Sequence, residues 1–186
     1  MNRHKGNILD EHSAENVLQA ALNGNDPAAV TLLWDRYAND LLAYLVGLLC
    51  SLHDAEDVLQ TVFVKIVRKR HRIAEARCLD AYVYRIARNE AARLIGHRKR
   101  RRTAKPMKES WLVETENSQE LNDWTEQLKA ALGHLPQPQR EVIVMKIYRH
   151  KTFMEISRLL GLSQNTVASR YRYGMEKLRN LLENVI

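Results

Sequence analysis

Apolar residues recur at spacings of three and four along most of the chain, the period of helices that bury one face. Val30, Leu33, Trp34, Tyr37, Leu41, Tyr44, Leu45 and Leu48 give a helix of about five turns or more. Asp26-Pro27 suits its start, because Asp caps free amides and Pro tolerates the first helical position. The polar segment Ser51-Leu52-His53-Asp54 breaks this helix, and Ala55, Val58, Leu59, Val62, Phe63, Ile66 and Val67 mark the next. Asp54, Glu56 and Asp57 are expected in its first turn and Lys65, Arg68, Lys69 and Arg70 at its end, each sign matching the helix pole it meets. Leu79, Tyr82, Val83, Ile86, Ala91 and Leu94 predict a third helix, with Arg85, Arg88 and Arg93 off its apolar stripe and facing solvent. These helices can form one bundle over residues 17–102, preceded by a polar start.

Residues 103–120 lose the period and contain Pro106, which reads as a linker, with Trp111 and Leu112 tethering it to a domain. A second domain over 121–186 opens on a helix through Leu121, Trp124, Leu128 and Leu132 and turns at Leu135-Pro136. Pro138 begins another helix, with Val142, Ile143, Met145, Ile147 and Tyr148 as its apolar surface. Thr152 and Glu155 have the spacing of a capping box, in which each side chain bonds the other's backbone amide. The short helix that follows, through Ile156, Leu159 and Leu160, stops at Gly161. Ser163 caps a last helix, with Val167, Tyr171, Gly174 or Met175, and Leu178 inward. Two helices joined by so short a turn predict a helix-turn-helix. On the outer face of the second, Gln164, Asn165, Ser169, Arg172 and Tyr173 combine hydrogen-bonding groups with positive charge, and no acid precedes Glu176. Carboxylates there would repel a phosphate backbone, so their absence permits DNA binding. The fold class is all-α, two small helical domains joined by a linker.

A formal net charge of +7 in 186 residues favours a polyanionic partner, and its distribution sharpens the point. Arg85, Arg88, Arg93, Arg98, Lys99, Arg100, Arg101, Arg102 and Lys105 crowd residues 85–105, where Glu90 is the single acid; the next stretch reverses sign. Cys50 and Cys78 make neither a metal-ligand spacing nor a disulfide framework and read as free thiols of a reducing compartment. The start has no signal-peptide core, and no run approaches the roughly 18 apolar residues of a membrane span, so a cytoplasmic protein without membrane insertion is expected. The seven histidines show no zinc spacing, there is no glycine-rich phosphate loop, and no acidic cluster suits a nuclease. Neither an enzyme nor a cofactor is expected.

Two separate segments carry a resemblance. DAEDVLQTVFVKI at 54–66 followed by YVYRIARN at 82–89 resembles the first conserved domain of ECF-type bacterial sigma factors, and residues 135–182 resemble their second. Together with Trp34-Asp35-Arg36-Tyr37, the likeness spans most of residues 20–183 in the family's order. It implies a factor that binds core RNA polymerase, captures the opened minus 10 strand with its first domain and recognises the minus 35 duplex with its second. For polymerase-clamp contact it indicates Asp54, Glu56, Asp57 and Gln60, although Asp54 and Glu56 also suit helix capping and dipole compensation. For the minus 10 strand it indicates Arg85, Arg88, Asn89, Arg93, Arg98, Arg100 and Arg101; Asn89 offers a donor and an acceptor to a base edge, or closes a helix end. For the minus 35 duplex it indicates Gln164, Asn165, Thr166, Ala168, Ser169, Arg170, Arg172 and Tyr173. Arg172 suits guanine, or a phosphate.

The chain departs from the family's common pattern at Ala168, often a basic position, at Tyr82, often tryptophan, and at Arg93, often an acid. A standard minus 35 sequence is therefore not assigned. The resemblance also implies that the helix of Gln139, Arg140 and Glu141 helps meet the polymerase flap, unless these are exposed helix punctuation, and that an anti-sigma factor restrains the protein. The competing reading is a helix-turn-helix regulator that binds duplex DNA without acting as a sigma factor.

Overall fold

In the computed structural model, residues 18, 20–22, 24, 28–104 and 119–183 are described, with side chains over 28–100 and 126–183 and at the earlier isolated positions. The expected Asp26-Pro27 helix start, the polar residues 1–16 and the linker residues Pro106, Trp111 and Leu112 lie outside the described residues. The side chains of Leu121, Trp124 and Arg101 do so too.

The described secondary structure is helical throughout. Helix α1 spans Ala28–Leu49 and buries Leu33, Tyr37, Leu41, Tyr44, Leu45 and Leu48, which follow the expected stripe. Two members of that stripe are corrected: Val30 is exposed, and Trp34 is 47% exposed, its ring tilted against Phe63 at 4.7 Å. They mark the solvent-facing margin of the apolar stripe.

Helix α2 spans Leu52–Arg68, with Ser51 as its cap accepting from the Asp54 amide at 3.3 Å. Because it begins before Asp54, only that acid lies in the first turn; Glu56 and Asp57 fall beyond it, contrary to expectation. Lys69 closes α2, and Arg70 opens a short helix, α3 (Arg70–Ala74), that the sequence pattern did not reveal. It buries Ile73 and Ala74, too few residues to show a period. Helix α4 runs from Leu79 to Ala104 and buries Leu79, Val83, Tyr84, Ile86, Ala87 and Ala91. Tyr37 donates to Asp80 at 2.6 Å, tying the middle of α1 to the start of α4.

The C-terminal group comprises α5 (Gln119–His134), α6 (Gln137–Ile147), α7 (Phe153–Leu160) and α8 (Gln164–Glu183). Val142, Ile143, Val144 and Met145 are buried along α6, but Ile147 and Tyr148 are exposed, correcting the expected stripe at the point where α6 ends. The capping box is formed in full: the Glu155 amide donates to Thr152 Oγ1 at 3.2 Å, and the Thr152 amide donates to Glu155 Oε2 at 2.6 Å. Gly161 ends α7 at φ 66, a left-handed conformation that costs glycine little. The Thr166 amide donates to Ser163 Oγ at 3.1 Å, so Ser163 caps α8 as expected.

The hydrogen bonds that the Thr152 amide and hydroxyl donate to it hold the Glu155 carboxyl below the usual glutamate range. Its contribution to stability is therefore present above the ordinary glutamate pKa and lost as pH falls through the lowered value. Thr152→Ala is expected to destabilise the protein by about 1 kcal/mol, or a fall in Tm of about 2–4 °C. Thermal melts at neutral pH check this, and the deficit should shrink as the glutamate protonates.

The two helix groups pack against one another, α6 on α1 and α7 on α4. One apolar cluster runs from Leu33, Leu41 and Leu48 through Val142, Val144 and Met145 to Ile156 and Val167. A Cβ built on Gly47 of α1 would stand 2.7 Å from both methyls of Val144 on α6, so only glycine permits this approach.

Candidate nucleic-acid interface

Two polar faces carry the residues that the sequence marks for DNA. On α8, Gln164, Asn165, Arg172 and Tyr173 are exposed, and Thr166, Ala168, Ser169 and Arg170 are half-buried beside them. The outward side of the helix is set by the inward one, where Val167, Gly174 and Leu178 are buried among α5, α6 and α7. The Arg172 guanidinium lies 4.9 Å from the centre of the Tyr173 ring and donates to its hydroxyl at 3.2 Å. The pair is thereby held together as one hydrogen-bonding unit on the surface. Ser163, the cap, also bonds Thr166 through its hydroxyl at 2.9 Å.

On α4 the described basic side chains divide. Arg85, Asn89, Arg93, Arg98 and Arg100 are exposed, as a surface for a phosphate chain would require. Arg85 lies over the Tyr82 ring at 4.7 Å, a cation-on-aromatic contact. Arg98 pairs with Asp54 of α2, and Lys65 with Glu90, so the acid marked for polymerase and an arginine marked for DNA hold one another. Glu56, Asp57 and Gln60 remain exposed on α2, with His53 3.8 Å from Asp57.

Arg88 differs from the other arginines, and the expectation that it faces solvent is corrected. It turns toward the C-terminal group, where its Nε lies 3.2 Å from Glu141 Oε1. Glu141, 1% exposed, is the one buried charged residue among the described residues. Tyr44 of α1 donates to the same carboxylate oxygen at 2.6 Å, with the Tyr84 ring edge-on at 5.2 Å. Exposed punctuation on α6 is thus excluded for Glu141. Burial raises its pKa against the lowering effects of the Tyr44 hydrogen bond and of Arg88. The same burial, with the carboxylate alongside, pushes the Tyr44 phenol well above its usual range.

Arg140, next to Glu141, closes a second polar junction. Its Nη1 donates to the Leu48 carbonyl at 2.6 Å, and its Nη2 donates to the carbonyls of Gly133 and Leu135 at 2.8 and 3.1 Å. One guanidinium therefore satisfies open carbonyls at the ends of α1 and α5, where a cation also suits the helix pole. Arg149 pairs with Asp40 beyond the other end of α6. Sequence reasoning missed this junction, since its partners sit about 90 residues apart and follow no local period. Tyr44, a hydroxyl-bearing residue on the expected core stripe of α1, was the available signal.

Cys50 and Cys78 are free thiols, and burial raises the Cys50 pKa. Among the described residues no helix is long and apolar enough to cross a membrane.

The matches to known proteins follow this division. Residues 33–103 match the Sigma-70 region 2 family and residues 131–180 match Sigma-70 region 4. The chain is 30% identical over 137 residues to an RNA polymerase sigma-E factor of Streptomyces antibioticus, covering 74% of this chain and 75% of that one. It is 27% identical over 168 residues to the ECF RNA polymerase sigma factor RpoE of Cereibacter sphaeroides, covering 88% and 91%. Among solved structures, CnrH in complex with the cytosolic domain of CnrY superposes with a TM-score of 0.69 at 22% identity, covering 92% of this chain and 98% of that one. The sigma factor RpoE in complex with the anti-sigma factor NepR from Bartonella quintana gives 0.61 at 25%, covering 78% and 91%.

Fold and matches define a sigma-70-type initiation factor of two helical domains, a class that carries no catalytic site of its own. The chain belongs to the ECF-type RNA polymerase sigma factors.

Proposed function

We propose that this chain binds core RNA polymerase at its clamp and flap and directs promoter-specific initiation. In this reading residues 17–102 capture the minus 10 strand, residues 121–186 read the minus 35 duplex, and 103–120 join them. The observation that carries it is the presence in one chain of two outward polar faces, the α8 face around Arg172 and the α4 face around Asn89, beside matches to both sigma regions. On α4, Arg85, Arg93, Arg98, Arg100 and Arg101 would neutralise phosphates while Asn89 addresses a displaced base. On α8, Gln164, Asn165, Ser169 and Arg172 would address base edges, with Thr166, Ala168, Arg170 and Tyr173 around them. Asp57, Glu56 and Gln60 would meet the clamp, joined by Asp54 once it parts from Arg98.

The closed packing of the helix groups then belongs to the protein off the promoter. The two elements differ in position by about 25 base pairs, or about 85 Å of duplex at about 3.4 Å each. A compact chain of this length has a radius of gyration of only about 16 Å. Both elements are reached together only if α6 and α7 leave α1 and α4, while residues 105–118 extend by at most about 50 Å. Opening would release Arg88 to the strand-binding face. The likeness to RpoE bound to NepR supports an anti-sigma factor as a further partner. A cytoplasmic location, at the nucleoid when active, follows from the same reading.

The experiment that tests this is transcription by sigma-free core polymerase supplied with the chain and a promoter library. New start sites preceded by a shared two-part sequence are expected; folded protein with neither core association nor new starts would instead favour a duplex-binding regulator. Arg172→Ala should weaken binding to the selected minus 35 duplex by about 1–3 kcal/mol and relax the preference at one base position. Binding titrations on single-base variants of that duplex check it, and uniform weakening at all positions would make Arg172 a phosphate anchor.

A further inference from the structure

A cavity of about 500 Å³ lies where the start of α4 meets the end of α7. Arg77, Arg85 and Arg88 line it from the first domain and Arg158 from the second, with Tyr82 and Cys78 in the wall and no carboxylate among its lining residues. Arg88 is held by Glu141. Arg77, Arg85 and Arg158 have no ion pair within 4.0 Å among the described residues; Arg85 rests on Tyr82, and Arg158 makes a long contact of 3.7 Å to Met154 sulfur and feels the Glu155 carboxylate one turn earlier, which lies outside the cavity lining. Gathering guanidiniums around one space is unfavourable until an anion enters it.

We propose that this cavity is a binding site for an oligophosphate, free or carried by a nucleoside, that holds the two domains closed. Planar guanidinium forks match phosphate oxygens in pairs, and several around one cavity favour a ligand with several phosphates over a single ion. The volume lies in the range of small-ligand sites. Because Arg158 belongs to one domain and the other arginines to its neighbour, the complete site exists only in the closed arrangement. The ligand therefore stabilises closure by linkage, and anything that opens the domains expels it. Arg85 and Arg88 also belong to the proposed strand-binding face, so one occupant excludes the other. This inference goes beyond the promoter reading and rests on the closed packing alone, so its test does not use transcription.

The test is calorimetric titration of the full chain at about 0.15 M salt, where diffuse attraction is screened, with inorganic tripolyphosphate, adenosine triphosphate, adenosine and an oligoglutamate as separate probes. Saturable binding of tripolyphosphate is expected. Tighter binding of adenosine triphosphate would identify the nucleotide as the source, and equal binding a bare oligophosphate. Arg158→Gln and Arg77→Gln should each weaken binding about tenfold or more, with unchanged circular dichroism, while Arg179→Gln on the exposed side of α8 leaves it unchanged. Small-angle scattering should show compaction on saturation. Absence of tripolyphosphate binding, equal affinity for the oligoglutamate, binding of adenosine alone, or equal losses in all three variants would overturn the proposal.

Discussion

Glu141→Ala is expected to unlatch the two domains. The substitution removes the shared acceptor of Tyr44 and Arg88, leaving the buried Tyr44 hydroxyl without it and the half-buried Arg88 without its partner. Leaving a buried hydroxyl without its acceptor costs about 1–3 kcal/mol. The chain escapes this penalty by opening, since separation returns Arg88 and Tyr44 to water. The loss should therefore appear chiefly as a larger radius of gyration in small-angle scattering, with helix content nearly unchanged. Glu141→Gln keeps an acceptor for Tyr44 and should open the domains far less. Burial raises the Glu141 pKa, so the closed form holds the proton more tightly than the open form. Closure is thus favoured below the ordinary glutamate value and weakens as pH rises from there through the raised one. Glu141→Gln should lose that pH dependence. A wild-type radius that stays flat across this window, or Glu141→Ala remaining as compact as wild type, would refute the latch.

Gly47→Leu should part the same surfaces by a different route. Its Cβ would meet both Val144 methyls at 2.7 Å and Val144 Cβ at 3.3 Å. Valine on a helix has one strongly preferred rotamer and cannot swing aside. Overpacking of this kind costs about 1–3 kcal/mol, while leucine favours the helix over glycine by nearly 1 kcal/mol. Helix α1 should therefore remain intact as α6 is pushed away, again read as expansion without loss of helicity. The smaller clash of Gly47→Ala should be relieved by Val144→Ala in the double variant. If the two single effects simply add, the contact does not control closure.

Much of the architecture was legible along the chain, for reasons that remain local. The Thr152–Glu155 box, the glycine stop at 161 and the Ser163 cap each depend on residues a few positions apart, and each forms as read. The apolar stripes of α1, α2, α4 and α6 held at their centres, and those of α1 and α6 failed at their edges, at Val30 and Trp34 and at Ile147 and Tyr148, since periodicity identifies an apolar side but not how much of it a neighbour covers. Helix α3 was too short to show a period. The arginines of α4 and the polar residues of α8 were legible as surface candidates, yet which of them are occupied was not. Arg98 is engaged by Asp54 and Arg88 by Glu141, pairings across 44 and 53 positions that only the tertiary packing creates.

The burial of the Glu141 carboxylate should make opening cooperative. Two opposite charges about 4 Å apart attract by about 4 kcal/mol at an effective dielectric of about 20, but by only about 1 kcal/mol in water. Tyr44 and Arg88 share one carboxylate oxygen, so the first water to reach it weakens both contacts together and eases entry of the next. Half-open forms are then unstable relative to either end, and release should occur as a single cooperative event with one relaxation rate, not as gradual breathing.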